Sequence, residues 1–308
     1  MARGGKEEAR MKLKLADYQM LFKDETEGQS ITRGVGCYRT RKVKAGGMMW
    51  VDVYPLWNTK SEDKANAVTA AKQMRRSAEA MAKVNERNAR TKAEQILNAN
   101  FGVGDYWMTL TFPDDRQPAD DKTATRMMQA YLRRVKRKRE KLNLPEMKYF
   151  YTMEITESEK RGRRYHYHLV TQGDMDRDEL EKLWDKGIVN IRRVQKTEGG
   201  MSGIANYMTK QKQTQKKGAR RWNCSTNLKR PQATTNDHQM SRKRAEAIAT
   251  DAEQFGKAIF EKIFKGYRVL DEVRVRYSPY VSGAYISVRM EAMNGDGDDR
   301  RRRTADFV

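Results

Sequence analysis

Two short strings in this 308-residue chain carry residue types that could do chemistry, at spacings that would let them do it together. His166-Tyr167-His168 lies in an apolar stretch. In a strand its two imidazoles project to the same side and could share one cation. Tyr207-Met208-Thr209-Lys210 sets a phenol and an ammonium three residues apart, neighbours on one helix face. A phenol with an ordinary pKa of about 10 attacks as phenolate, so it needs a positive environment, which a lysine and a bound cation would supply. Phenolate and cation together suit attack on a phosphodiester: with the phosphate polarised, Tyr207 displaces the 3′ oxygen and becomes joined to the 5′ phosphate. One phosphodiester replaces another, so the step is reversible without ATP.

Register selects a third ligand. If the two middle strands form a hairpin turning through Ser158 to Gly162, Glu154 faces His166 and Thr152 faces His168. Those four then share one face, whereas Tyr151, Met153, Ile155, Tyr165, Tyr167 and Leu169 make the other face apolar. Glu157 and Glu159 fall at the turn, which leaves Glu154. Thr109 and Thr111 are expected to line the same face. Two imidazoles and a carboxylate leave coordination positions open for a phosphate oxygen. A non-haem iron or zinc site could use these ligands, but neither explains Tyr207 or the positive charge. His238 has no evident partner, and Gln211 stands where a second tyrosine would follow the first. Asn206 and Gln211 are candidates for positioning DNA.

The elements that must hold these groups alternate. The pattern predicts a strand from Tyr106 to Phe112, a helix from Lys122 to Leu142, strands from Met147 to Thr156 and from Arg163 to Thr171, a helix capped by Asp176 and ended by Gly187, and a strand from Ile188 to Val194. That order, βαββαβ, is the ferredoxin-like arrangement of the α+β class: an antiparallel sheet with helices on one face and the other free for chemistry. Ser202 is expected to cap the helix that carries Tyr207 and Lys210. Upstream, Cys37 to Tyr54 reads as a hairpin through Ala45-Gly46-Gly47 closed by Pro55, then a long helix from Ser61 to Asn100. Downstream, Ser241 to Phe264 has helical spacing, Tyr267 to Tyr277 with Ala284 to Met290 reads as a strand pair, and the tail from Asn294 reads as disordered. The divisions expected are an accessory region over 1–100, a catalytic core over 101–231, a second accessory region over 232–293 and the tail over 294–308.

Sixty-three Lys and Arg against 41 Asp and Glu leave a formal charge of +22, a balance suited to a phosphate backbone. The helix from Lys122 puts Met128, Leu132, Val135 and Leu142 at core spacing and crowds Arg133, Arg134, Lys136, Arg137, Lys138 and Arg139 elsewhere. These, with Arg163, Arg164, Lys212, Lys216, Lys217, Arg220 and Arg221, are the expected DNA contacts, giving affinity more than sequence choice. Cys37 and Cys224 are too few and too far apart for a disulfide framework or a metal knuckle. No apolar run approaches the roughly 20 residues of a membrane span, and Met1 to Lys14 lacks a signal-peptide core, so a cytoplasmic protein is expected. No Gly-rich loop ends in Gly-Lys-Ser/Thr, so strand separation is expected to need a partner helicase.

These residues resemble the HUH endonucleases, and within them the single-tyrosine rolling-circle replication initiators of small phages and plasmids. Trp107-Met108-Thr109-Leu110-Thr111-Phe112 is similar to the family's first motif, His166-Tyr167-His168 to the second, and Tyr207 with Lys210 to the third. Asn85-Glu86-Arg87-Asn88-Ala89 and the run from Trp222 to Pro231 resemble flanks of phage-type initiators. The resemblance implies Mg²⁺ or Mn²⁺ as the cation, single-stranded origin DNA as the substrate, a host helicase as partner, the bacterial cytoplasm as location, and no small-molecule cofactor. A single-tyrosine transposase or a conjugative relaxase could use the same site. A different class, a non-catalytic single-stranded nucleic-acid-binding module on the same scaffold, would stack bases on an exposed sheet face, and the histidines argue against it.

Overall fold

Runs that alternate polar and apolar side chains build two antiparallel sheets, and the segments between them supply the helices. The computed structural model describes residues 35–57, 78–158, 162–195, 197–210, 221–277 and 283–293. The chain begins with β1 (Val35–Ala45) and β2 (Met48–Trp57), followed by the long helix α1 (Ala78–Asn100). Then come β3 (Tyr106–Thr111), α2 (Asp121–Lys141), β4 (Tyr149–Ser158), β5 (Gly162–Thr171), α3 (Arg177–Lys182) and β6 (Val189–Arg193). After these stand α4 (Ser202–Lys210), β7 (Asn223–Cys224), β8 (Ala233–Met240), α5 (Arg242–Thr250) and α6 (Lys257–Ile263). The last three strands are β9 (Tyr267–Val269), β10 (Arg274–Tyr277) and β11 (Ala284–Ala292). Residues Ser61 to Ala71 of the expected long helix, Glu159, Gln211, Lys212, Lys216, Lys217, Arg220, the start and the tail lie outside the described residues.

The central sheet has strand order β6-β3-β5-β4-β7, so the βαββαβ elements take the ferredoxin-like order with β7 added at one edge. Its apolar face carries Met108, Leu110, Tyr151, Tyr165, Tyr167 and Leu169, covered by Met128, Tyr131, Leu132 and Val135 of α2 and by Leu180 of α3. Asp120 caps α2 at Thr123 N, and Asp176 caps α3 at the Asp178 and Glu179 amides. Leu142, expected in this core, is the C-cap of α2 and is 46% exposed, because the helix ends before its side chain can turn inward. Gly187 lies so close to β3 that a Cβ there would stand 2.2 Å from the Thr111 carbonyl oxygen, so only glycine lets the chain enter β6 at this point.

The second sheet has order β10-β11-β2-β1-β8, with β9 also on β11. The regions on either side of the core thus interleave in one sheet, with Tyr38, Val51, Val53, Ile286 and Val288 packed against Ile248 of α5 and Phe260 of α6. Several details depart from the sequence reading. Pro55 does not end β2, which runs to Trp57; β11 pairs β2 only as far as Val53, so Pro55 stands opposite β1 alone, where a missing N–H is tolerated. The expected helix over Ser241 to Phe264 is interrupted at Asp251, which adopts extended φ, ψ and caps Gln254 N with its carboxylate, opening a π-helical turn over Ala252–Gly256. Ala233–Met240, read as loop, is an edge strand on β1.

Helix α1 crosses between the sheets. Ala93, Ile96, Leu97 and Phe101 meet Ala205 and Met208 of α4 over Phe150 and Val170. The face expected to be wholly free for chemistry is therefore covered at this end. Asn100, with no exposed surface, fastens the chain after the core: its amide donates to the Lys229 and Ile96 carbonyls, both at 2.8 Å, and its oxygen accepts the Lys229 N–H at 2.7 Å. Asn100→Ala strips these bonds and leaves buried backbone groups without them. It is expected to destabilise by about 2–4 kcal/mol, read as a lowered urea midpoint at unchanged slope.

Candidate active site

The site is built on the face of the central sheet opposite α2. Pairing sets Glu154 against His166 and Thr152 against His168, the register read from the sequence. On its other side β5 pairs with β3, setting Thr111 against His166 and Thr109 against His168. The sheet thus carries two adjacent rows across three strands: Thr111, His166 and Glu154, then Thr109, His168 and Thr152. A third row, Trp107, Val170 and Phe150, leads under α1 and α4.

His168 is 3% exposed and held from both sides. Its Nε2 lies 2.9 Å from Glu154 Oε2, and its Nδ1 lies 3.3 Å from the Thr109 hydroxyl. A hydroxyl can donate or accept, so Thr109 suits either tautomer: it donates when Nε2 carries the proton and accepts when Nδ1 does. His166 stands in the more open row. Burial holds its pKa below the ordinary imidazole value, with Glu154 opposing that effect and His168 and Arg164 adding to it. Near neutrality the neutral form, the one able to ligate a cation, is favoured. Among the described residues no three His, Cys, Asp or Glu side chains converge as a metal-holding group; the close contact is the Glu154–His168 pair, with His166 beside it in register.

Tyr207 reaches this face from α4. Its ring lies edge to face with His168, centroids 5.0 Å apart, and with Trp107 at 5.4 Å. It is 46% exposed, while its helix neighbours Ala205 and Met208 are buried against α1. Other tyrosines of the core are unsuited to attack: Tyr165 and Tyr167 are fully buried on the opposite face, as parity predicts, and burial pushes the Tyr151 phenol up to about 12. Lys210 closes α4, three residues on from Tyr207. Ser202 does not act in the expected way: its hydroxyl is engaged by the Glu94 carboxylate and by the Gly199 carbonyl at 2.6 Å.

The arginines read as DNA contacts divide. Arg133 and Arg137 are exposed, but α2 lies on the far side of the sheet from the histidines. Arg134 is tied to the Leu183 carbonyl at 3.0 Å and to Asp185 at 2.7 Å. Arg163 pairs with Asp121 at 2.9 Å and covers the Tyr165 ring. Arg164 lies on the site face, paired with Asp114, and Arg221 is exposed beyond α4. Sequence reasoning passed over Asn190 and Arg192. Both are exposed on β6 and share the site face, because they pair with Thr109 and Trp107; parity along β6, carried over from β3, would have found them.

Cys37 and Cys224 are free thiols, and no helix among the described residues is long and apolar enough to cross a membrane. Searches of curated proteins and of solved structures returned no match. A family model does match, over residues 105–212, and it describes replication-associated proteins of the ORF2 type. The matched stretch runs from the start of β3 past the end of α4 and contains Thr109, Glu154, His166, His168 and Tyr207. Residues 105–212 of this chain thus belong to that replication-associated protein family, consistent with a rolling-circle replication initiator of the HUH type.

Proposed function

We propose that this replication-associated protein is a site-specific endonuclease and strand transferase that opens one DNA strand at an origin through a 5′-phosphotyrosine at Tyr207 and later rejoins it. The observation that carries this reading is the meeting of Tyr207 with His168 over two rows that hold two imidazoles and a carboxylate. The donor set suits Mg²⁺ or Mn²⁺, held by Glu154, His166 and His168. Adjacent donors on an octahedral cation with bonds of about 2.1 Å stand about 3 Å apart, and His168 Nε2 and Glu154 Oε2 are 2.9 Å apart. A cation bound there would polarise the scissile phosphate and offset charge on its non-bridging oxygens.

The protein groups do the rest. Tyr207 gives up its phenolic proton and attacks phosphorus; the bond to the 3′ oxygen breaks, and that oxygen takes a proton to become the free 3′ hydroxyl. Lys210, one helical turn on, favours the phenolate by its charge. Asn190 and Arg192 on the neighbouring strand offer hydrogen bonds and positive charge to the single strand crossing the face. Reversal needs only a second 3′ hydroxyl in the same position, because the phosphotyrosine stores the bond.

The test is incubation of the full chain with single-stranded oligonucleotides of its origin, labelled at either end. A covalent protein–DNA species carrying the 3′-side label is expected with Mg²⁺ or Mn²⁺ and not with EDTA. Labelling from the other side, or cleavage with no adduct, would overturn the reading.

A further inference from the structure

The helix that carries Tyr207 is clasped at its start by polar groups that an apolar helix contact does not need. Glu94 of α1 is 4% exposed. Its carboxylate receives the Ser202 hydroxyl at the first turn of α4 and, at 2.6 Å, the guanidinium of Arg289 on β11, which also pairs with Asp271. One turn further along α1, Asn98 accepts the Met201 N–H at 3.0 Å and donates to the Glu94 carbonyl at 3.0 Å. Gly200 enters this clasp at φ +59°, where a Cβ would stand 2.4 Å from Asn98 Oδ1.

A buried ion pair adds little stability over an apolar pair of the same volume, because desolvation offsets the attraction. The apolar contact of Ile96 and Leu97 with Ala205 and Met208 already holds the two helices together. That contact is non-directional and leaves rotation and sliding of α4 weakly specified. Hydrogen bonds from a buried carboxylate are directional, and these act at Ser202, about 7.5 Å along the helix axis from Tyr207. The Tyr207 ring meets His168 and Trp107 edge to face, so a small turn of α4 would carry it off both.

We propose that Glu94 is a positioning residue for the nucleophile: the buried junction of Glu94 with Ser202 and Arg289 fixes the rotational setting of α4, and through Arg289 the flanking sheet takes part in presenting Tyr207. This rests on the nicking reading above and gives the accessory regions a task in it.

The test uses the full chain with Glu94→Gln and Ser202→Ala. Ser202→Ala leaves the Glu94–Arg289 pair in place and so covers the case in which Glu94→Gln does not fold. Three quantities are read: single-turnover adduct formation with Mg²⁺, affinity for the same oligonucleotide, and amide exchange along 202–210. Adduct formation is expected to fall about 10- to 100-fold, as a misplacement near 1 Å does, with affinity within about twofold of the parent and faster exchange at Tyr207 and Met208. Adduct formation within about twofold of the parent in Ser202→Ala and in folded Glu94→Gln would overturn the proposal. Affinity falling in step with rate would also overturn it, by marking a merely structural role. If the parent forms no adduct, the nicking reading fails by itself; faster α4 exchange in the variants then still supports the clasp, and unchanged exchange overturns it.

Discussion

Tyr207→Phe is expected to bind single-stranded DNA as the parent does and to form no covalent adduct, a loss of at least about 10³-fold in strand cleavage. Phenylalanine keeps the ring that lies against His168 and Trp107. Fold and helix setting are therefore retained, with stability within about 0.5 kcal/mol of the parent. Only the attacking oxygen is gone. No neighbouring tyrosine can replace it, since Tyr106, Tyr165 and Tyr167 are buried on the other face of the sheet, and the exposed Tyr277 belongs to the second sheet, its hydroxyl donating to the Ala249 carbonyl. The measurement is gel separation of protein–oligonucleotide adducts, with mass spectrometry of the adduct peptide from the parent. An adduct formed by Tyr207→Phe would assign the nucleophile elsewhere, even with the family unchanged.

The parts of the site that could be read from the sequence are those fixed by local periodicity. The hairpin of β4 and β5 turns through a few residues, so once its closing pair is chosen every cross-strand partner follows, and Glu154 opposite His166 follows with them. The Tyr207–Lys210 helix was equally local. What escaped depends on pairing between distant parts of the chain. Strand β2 lies between β1 and β11, and β1 takes β8 on its other side; nothing near Val35 or Ala284 marks such a partner, and the polar run Ala233–Met240 lacks the alternation that announces a half-buried strand. Charge was the most misleading signal. Arg134 and Arg139 look like phosphate contacts in a basic helix, yet Arg139 is 2% exposed and chelates Asp174 while donating to the Pro145 carbonyl. Glu94 looks like one more charge on a solvated helix, and it is buried at the junction with α4. A side chain's type does not tell whether its partner is solvent, ligand or another part of the fold.

The rows on the sheet also separate what ligates from what orients. His168→Ala removes a donor outright, so cleavage is expected to fall at least about 10³-fold and to stay low however much Mn²⁺ or Mg²⁺ is added. Thr109→Val keeps the shape of the side chain and removes only the hydroxyl at His168 Nδ1. Loss of such an outer hydrogen bond weakens cation affinity about 10- to 100-fold, so this variant is expected to recover most of the parental rate when the cation concentration is raised by the same factor. Titration of adduct formation with Mn²⁺ for the parent and both variants gives the two signatures, a lowered plateau for His168→Ala and a shifted midpoint for Thr109→Val. Because both changes act on one imidazole, the double variant should lose no more than His168→Ala alone, the non-additivity of groups acting through a single partner. A shifted midpoint with full plateau in His168→Ala would move that imidazole out of the cation's coordination and leave it the role of orienting Glu154, with which it is in contact at 2.9 Å.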